Sequence, residues 1–489
     1  MKAPLHVPLL LFALMGSVPQ THSAELPRSA PEAQGVSSAA ILSFLEAVDK
    51  VDSMNSFMLV RHGRVLAEGW WTPYRAEARH SLYSLSKSFT STAVGMAIAE
   101  GKLSVDDEVL KFFPDDAPAE PSNFLKAMRV SDLLRMSTGH QTEPGRTTDA
   151  PWTKTFLAHP VPFRPGTHFL YNTSGTYMQS AIVQKVTGKT VLEYLGPRLF
   201  EPLGIEQPTW EMSPQGISTG GYGLSIRTED IAKFGQLYLQ KGKWNDKQLV
   251  PATWIEAATA RQTSNGSNPA SDWEQGYGYQ FWRCRHNVYR GDGAFGQYCI
   301  VLPEQDAVIA ITSGLKNMQA ILDHVWDKLL PAMQSSSLTP DEAAQQKLQQ
   351  KLKGLVIRLP DGDGEPAKIA GKKYVFPAND LKLESLSLEQ DSGGQETLVF
   401  RIDGAQQRIA CGSGKWQDGK GAWDKLPDQS VAAAGGWSKG VFTSKVCFYE
   451  TPFYLTIGLR PNGDELTFSS EMNVGFLTTK QRDIIGKAE

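Results

Sequence analysis

Between residues 38 and 49 the apolar side chains Ile41, Phe44, Leu45 and Val48 recur at helical spacing and predict a helix. Two apolar runs follow, 57–60 and 65–70, on either side of His62-Gly63-Arg64. They predict a pair of strands joined by a turn. From 84 to 100 helical spacing returns through Phe89, Ala93, Met96 and Ala97, and Gly101 supplies a stop. Residues 121–210 alternate short helical stretches with loops rich in Pro, Thr and Gly, and another helix is predicted over 229–240 after the glycine-rich turn 220–223. Strand patterns reappear at 277–284, 297–302 and 307–312, before an amphipathic helix from 317 to about 330. Strands at both ends with helices between them predict an α+β body. Its mainly antiparallel sheet is built from N- and C-terminal strands, flanked by helices, and carries a helical insertion. A nucleophile on the first long helix would sit where sheet and insertion meet.

The pattern changes after Met333. Residues 334–337 are a polar linker, and Thr339-Pro340-Asp341-Glu342 reads as a capped helix start, with a thin stripe of Leu348, Leu352 and Leu355. Strand-like runs then dominate, clearest at 398–402, 446–449, 453–459 and 466–468, with a hairpin turn at Pro461-Asn462-Gly463-Asp464. The expected division is a first domain over 25–335, a linker with a short helix over 336–360, and a C-terminal all-β accessory domain over 361–489. No catalytic constellation is visible in the last of these.

Composition narrows the functional classes. The 489 residues are 41% hydrophobic and 21% charged, with a net charge of −3, which is ordinary for a globular protein. Lys and Arg are scattered, so electrostatics give no footprint for nucleic acid. At the N-terminus Lys2 precedes a mostly apolar stretch over 5–18, and the small residues Ser23 and Ala24 stand before Glu25. This predicts a cleaved export signal over 1–24 and a periplasmic or secreted protein. The stretch falls short of the roughly 20 residues that a span needs, so no stable membrane insertion is expected. Cys284, Cys299, Cys411 and Cys447 form no CxxC, and none of the nine histidines has metal-ligand spacing, so neither metal nor cofactor is expected. In an oxidising compartment the simplest pairing is Cys284–Cys299 with Cys411–Cys447. Four cysteines allow two other pairings, and four buried thiols are the alternative.

The chemistry concentrates in His80-Ser81-Leu82-Tyr83-Ser84-Leu85-Ser86-Lys87-Ser88-Phe89. A serine hydroxyl is a weak nucleophile until a base takes its proton. Ser84 and Lys87, three apart at a helix start, share one face, and the helix N-terminus favours developing negative charge beside them. For Lys87 to accept that proton, burial and positive neighbours must lower its pKa. Ser-x-x-Lys alone is a weak signal, and a serine at a helix start is also an ordinary cap. The surrounding landmarks add weight. They run through Ile98-Ala99-Glu100-Gly101-Lys102-Leu103, Phe113-Pro114-Asp115, Val130-Ser131-Asp132-Leu133-Leu134, Phe163-Arg164-Pro165-Gly166 with Tyr171, and Gly220-Gly221-Tyr222-Gly223 with Phe234-Gly235. Over about 31–330 the chain resembles the penicillin-recognising serine hydrolases: class C β-lactamases, family VIII carboxylesterases and 6-aminohexanoate-dimer hydrolases.

That resemblance implies a β-lactamase/transpeptidase-like fold and acyl transfer through Ser84, with Lys87 as proton acceptor and Tyr171 as a phenol that shares the proton and later delivers it to the leaving group. The family often has Tyr-x-Asn. Here Thr173 stands at the third position, with Asn172 beside it as a substitute contact. The family's Lys-Thr-Gly is replaced by Gly291-Asp292-Gly293-Ala294-Phe295-Gly296-Gln297, which is similar to the Gly-x-x-Gly-Gln of its esterase-like members. The backbone N–H groups of Ser84 and Ala294 are the expected oxyanion hole, with Gly293 allowing close approach of the substrate. Without the lysine, only Arg290 is left to pair a substrate carboxylate, and Asp292 opposes it. Neutral esters, amides or peptides are therefore the expected small-molecule substrates, with weak or no β-lactam turnover. Tyr222 and Trp282 are candidate contacts for an apolar acyl group. Two other classes stay open: a penicillin-binding or D-Ala peptidase-type protein, and a non-catalytic binding protein on the same fold. Oligomeric state is not legible. Gly216-Ile217-Ser218-Thr219-Gly220 imitates the elbow of α/β-hydrolases but lacks the strand before and helix after that an elbow needs. Gly188-Lys189-Thr190 lacks the earlier glycine of a phosphate loop and reads as a turn between helices.

Overall fold

A computed structural model describes residues 25–489, apart from Asp52, 366–368, 370 and 425. The expected export signal lies outside the described residues. A six-stranded antiparallel sheet forms the centre of the first body. Its strands are β1 (Met54–Arg61), β2 (Arg64–Trp70), β3 (Trp282–Arg283), β4 (Tyr289–Gly293), β5 (Gln297–Leu302) and β6 (Ala307–Ser313), in the order β2-β1-β6-β5-β4-β3. N- and C-terminal strands thus lie side by side, as the pattern implied. Both faces are covered, and alternation along each strand divides the side chains between two cores. Met58, Val60, Cys299, Val301, Val308 and Ala310 enter one core. Phe57, Leu59, Tyr298, Ile300, Ile309 and Ile311 enter the other. Each Val, Leu, Ile, Phe or Met among them contributes about 1.5–3 kcal/mol on burial.

The first core also takes α2 (Ser86–Ala99), α3 (Thr173–Thr187) and α4 (Thr228–Leu239). Every residue of α2 from Ser86 to Ala97 is buried, which makes it the central helix of the body. Phe89 stacks on Phe234 of α4 with ring centroids 3.8 Å apart. The second core is closed by α1 (Ser38–Val48) and by the helix Gln319–His324. α5 (Glu342–Lys353), in the segment read as a linker, docks on the same core through Leu348, and Leu355 and Ile357 follow it in.

Two elements differ from expectation. Of the strand predicted over 277–284, only Trp282–Arg283 forms. Gln280 takes a left-handed conformation, φ 67°, and its amide donates to the carbonyls of Leu133 and Leu134, so the chain kinks there. The helix expected from 317 is α-helical only over Gln319–His324, then widens to a π-turn over Val325–Leu329 and ends in a tight turn at Leu330–Ala332, which contains Pro331.

The all-β part is a closed barrel. Its strands are β7 (Lys373–Val375), β8 (Leu383–Gln390), β9 (Glu396–Ile402), β10 (Ala405–Ser413), β11 (Gln417–Trp423), β12 (Leu426–Ser438), β13 (Val441–Cys447), β14 (Tyr454–Asn462), β15 (Glu465–Met472) and β16 (Ile484–Ala488). They run β10-β9-β8-β7-β16-β15-β14-β13-β12, and β12 returns to pair with β10 at Gly412 and Ser413. Alternate residues such as Leu386, Leu398, Phe400, Val446, Ile457 and Leu459 fill its interior. The barrel is pinned to the body by Ser81 N–H donating to Glu450 O at 2.9 Å and Tyr74 O–H donating to Thr451 O at 3.0 Å. Asn473 Nδ2 donates to Pro452 O at 2.9 Å within the barrel and to Gly314 O of the body at 3.4 Å.

The expected disulfides are absent: Cys284, Cys299, Cys411 and Cys447 are all free and buried. The physical reason is that each proposed pair is divided between different cores. Cys299 faces the first core and Cys284 the second, on opposite sides of the sheet. Cys411 points into the barrel, while Cys447 points out of it into the second core. Cys284 instead accepts from Arg290 at 2.9 Å, and Cys411 lies 3.3 Å from Ser444 Oγ.

Candidate active site

Ser84 lies in a 3-10 turn, Tyr83–Leu85, that leads directly into α2, so its side chain emerges at the buried N-terminal end of that helix. One turn on, Lys87 is 1% exposed. Its Nζ is 3.0 Å from Ser84 Oγ, 2.7 Å from Gly221 O and 3.3 Å from Thr173 Oγ1. A neutral amine has two N–H donors and one lone pair. Gly221 and Thr173 take the donors, which leaves the lone pair facing the Ser84 hydroxyl. Burial pulls Lys87 down to about 7, with the Glu143 and Asp292 carboxylates resisting and Arg146 assisting. Gly221 has to be glycine here, because a Cβ would lie 2.5 Å from Thr173 Cγ2 and 3.4 Å from Lys87 Nζ.

Tyr171 completes the constellation. Lys87 Nζ lies 5.0 Å from the centre of its ring, and the ring stacks on Trp282 at 5.4 Å. Burial drives the phenol's pKa well above its ordinary value, Asp292 adds to the rise, and its hydrogen bond with Ser84 opposes it. Tyr171 is therefore protonated at neutral pH and is equipped to give a proton rather than to begin by taking one.

Ser84, Tyr171, Thr173, Tyr222, Trp282, Gly293 and Ala294 all line one cavity of about 830 Å³. The end of β4 presses against the nucleophile's turn. A Cβ on Gly293 would be 2.0 Å from Leu82 O and 3.1 Å from Ser84 N, so only glycine admits this approach. Ala294 follows on the cavity wall, its carbonyl held by Gln297 Nε2 at 2.9 Å.

Asn172 is a correction. It is fully buried as the N-cap of α3, with Oδ1 accepting from Gly175 N at 2.9 Å, and it does not line the cavity. Arg290 is opposed by Asp292, as the sequence implied. It is 0% exposed, its guanidinium 2.8–2.9 Å from Asp292 and beneath the Trp273 ring at 4.4 Å, so no substrate carboxylate reaches it. Ser218 is fully buried in a turn, with Met212 Sδ 3.7 Å away, and takes no part in the cavity. Gly188 caps the end of α3 and Thr190 opens the next helix.

Glu143, Arg146 and Phe476 also line the cavity, and no motif or periodicity had pointed to them. Arg146 pairs with Glu143, donates to Ser174 Oγ at 2.7 Å and lies over the Tyr222 ring. Both residues come from an irregular loop with no periodicity to expose them. Among the described residues no cluster of His, Cys, Asp or Glu suits a metal ion, and no helix is long and apolar enough to cross a membrane.

Comparison with known proteins identifies the family. The family described as Beta-lactamase matches residues 47–332, more than half of the chain. The 6-aminohexanoate-dimer hydrolase of Paenarthrobacter ureafaciens is 26% identical over 279 residues, covering 52% of this chain and 71% of that protein. The lovastatin esterase of Penicillium rubens is 26% identical over 177 residues, covering 29% and 42%. The solved structure of a penicillin-binding protein homologue from Caulobacter crescentus superimposes with a TM-score of 0.50 at 17% identity, over 60% of this chain and 97% of that one, which speaks to the fold alone. The chain belongs to the β-lactamase family and is a serine hydrolase of that fold.

Proposed function

We propose that the protein hydrolyses a neutral ester or amide through a covalent acyl-enzyme on Ser84. The observation that carries this is the 3.0 Å approach of a buried Lys87, its pKa brought to about 7, to the Ser84 hydroxyl in the wall of an open cavity. Lys87 Nζ takes the Ser84 proton as Oγ bonds to the substrate carbonyl carbon. The oxygen that becomes negative is received by the N–H groups of Ser84 and Ala294. Tyr171 gives its proton to the departing alcohol or amine as that C–O or C–N bond breaks, and recovers one from Lys87. Water then adds to the acyl-enzyme, giving its proton to the same base, and the carboxylic acid product leaves with Ser84 restored.

The uncharged character of the substrate is supported by Arg290 and Asp292. The one guanidinium near the family's usual cation position is spent on a carboxylate and sealed from the cavity. Relatives named a hydrolase and an esterase are in keeping with the reaction type, an acyl group passed to water. The apolar pattern of residues 5–18 supports export, and with it a reaction outside the cytoplasm. The test is Ser84→Ala against a panel of p-nitrophenyl esters and anilides. Turnover is expected to fall by at least about 10⁴-fold, in line with loss of an activated nucleophile, with an unchanged melting temperature. Turnover that survives the substitution would move the nucleophile elsewhere.

A further inference from the structure

The cavity around Ser84 is not walled by the catalytic body alone. Phe476 belongs to the barrel, on the connection between β15 and β16, yet lines the same cavity as Ser84. Its ring lies 5.9 Å from Tyr83 and 4.8 Å from Phe295, and Phe453 completes the cluster at 6.3 and 5.6 Å from those two. Tyr83 and Phe295 immediately adjoin Ser84 and Ala294 in the chain, so the aromatic group stands at the end of the cavity where the carbonyl is to be held. Both have left-handed backbones, φ 49° and 68°, an uncommon state for bulky residues that aims their rings at the barrel.

The connection bearing Phe476 is held at its base. Asn473 bonds to Tyr454 N through its side chain at 2.9 Å and reaches Gly314 O of the body, and Met472 N–H donates to Thr479 O at 3.0 Å. From that base it projects apolar groups into the open. Phe476 is 73% and Leu477 82% exposed, the two highest values among the large hydrophobics of the described residues. The cavity's volume of about 830 Å³ lies towards the upper end of the roughly 300–1,000 Å³ typical of small-molecule sites. An acetyl ester would leave much of it empty and the Phe476 ring in water.

We infer that Phe476 is a specificity-determining residue, through which the barrel supplies an apolar wall of the active site for substrates carrying an extended hydrocarbon chain. This rests on the ester or amide hydrolysis proposed above. A chain lying against Phe476, Tyr83 and Phe295 gains the hydrophobic contribution of each CH₂ it buries, about fourfold in kcat/KM per CH₂. The role also gives the barrel a reason to be pinned beside the nucleophile's turn.

The experiment measures kcat/KM of the full chain on two series, vinyl esters from acetate to octanoate and alkyl acetates from methyl to octyl, for the wild type, Phe476→Ala and Phe476→Leu. In the wild type, kcat/KM is expected to climb with chain length in at least one series. Phe476→Ala is expected to reduce the long-to-short ratio in that series by about tenfold or more, and Phe476→Leu to restore part of it. A ratio that does not change in Phe476→Ala, or an equal loss at every length, overturns the inference, since a merely structural role moves all substrates together. A wild type that turns over short esters, dependent on Ser84, without chain-length preference overturns the inference and leaves the proposed reaction standing. A wild type that turns over no ester in either series overturns the inference, and the proposed reaction falls with it when p-nitroanilides are left intact as well.

Discussion

The reactivity assigned to this protein comes down to how one lysine spends its valences. An exposed Lys87 would be an ammonium with three donors and nothing to accept a proton. Burial removes the water that favours the ion, and two fixed acceptors, Gly221 O and Thr173 Oγ1, suit the two N–H bonds of the neutral amine. A second residue-scale balance sets the substrate. Asp292 lies in the segment that replaces the family's Lys-Thr-Gly, and its carboxylate holds Arg290, whose remaining contacts go to Asp272 O and Cys284 Sγ. Arg146 lines the cavity but is already paired to Glu143 and Ser174. A substrate carboxylate would meet no part of the buried Arg290, and at Arg146 it would have to compete with the Glu143 carboxylate already there. Nitrocefin is therefore expected to be hydrolysed with a kcat/KM at least about 100-fold below that of p-nitrophenyl acetate, the scale of a lost charge-assisted contact. Comparable rates on the two would refute this reading of Asp292. Ser84 and Lys87 were legible because their spacing is local and one helical turn fixes their relation. Asn172 was misread because a cap and a substrate contact share the same residue type, and only the backbone beyond it, at Gly175, distinguishes them.

Two elements are built around close backbone approach. The end of β4 passes so near the turn before α2 that Gly293 has room for a hydrogen and nothing larger. Gly293→Ala would force β4 off Leu82 O and shift Ala294 away from the carbonyl site. Loss of one oxyanion donor costs about 100- to 1,000-fold in kcat, so a loss of that order, with KM changed much less, is the expected result in steady-state kinetics. A near-normal kcat would remove β4 from the oxyanion hole. At this scale the sequence was informative wherever periodicity was clean. Strands β1, β2, β5 and β6 and the helices α1, α2 and α4 lie close to their predicted ranges, and the α+β body with a C-terminal all-β domain is borne out. The strand expected over 277–284 failed because its aromatic alternation was compatible with either structure. The deciding contact, the Gln280 amide on the carbonyls of Leu133 and Leu134, joins residues about 150 positions apart. No local pattern carries such information. Barrel closure has the same character, since the β10–β12 pairing depends on all the strands between them.

At the scale of the whole molecule, Lys87 is made reactive by parts that meet only when the body is folded. α2 carries it, the insertion brings Thr173 and Tyr171, the turn before α4 brings Gly221, and β4 brings Asp292. Each helps to exclude water from a group whose pKa is lowered chiefly by burial. The barrel adds Phe476 at the rim of the same cavity, a residue with no sequence signal because one exposed aromatic in a loop follows no period. The four free cysteines belong to this scale too. The proposed pairs looked adjacent in the chain but face different cores, so the sheet and the barrel wall keep them apart. The central claim is that an amine titrating near pH 7 activates Ser84, and the sign of its pH dependence follows directly. Protonated Lys87 cannot accept the serine proton, so reactivity is low below its pKa, rises as the pH passes through about 7 and then levels off. The most direct measurement is the rate of covalent labelling by a fluorophosphonate, followed by intact mass from pH 5 to pH 10 in the wild type, with Ser84→Ala as the blank. The account predicts a single rising limb with its midpoint near 7 and no labelling of Ser84→Ala. A rate still climbing towards pH 10, or one that does not change with pH, would contradict it.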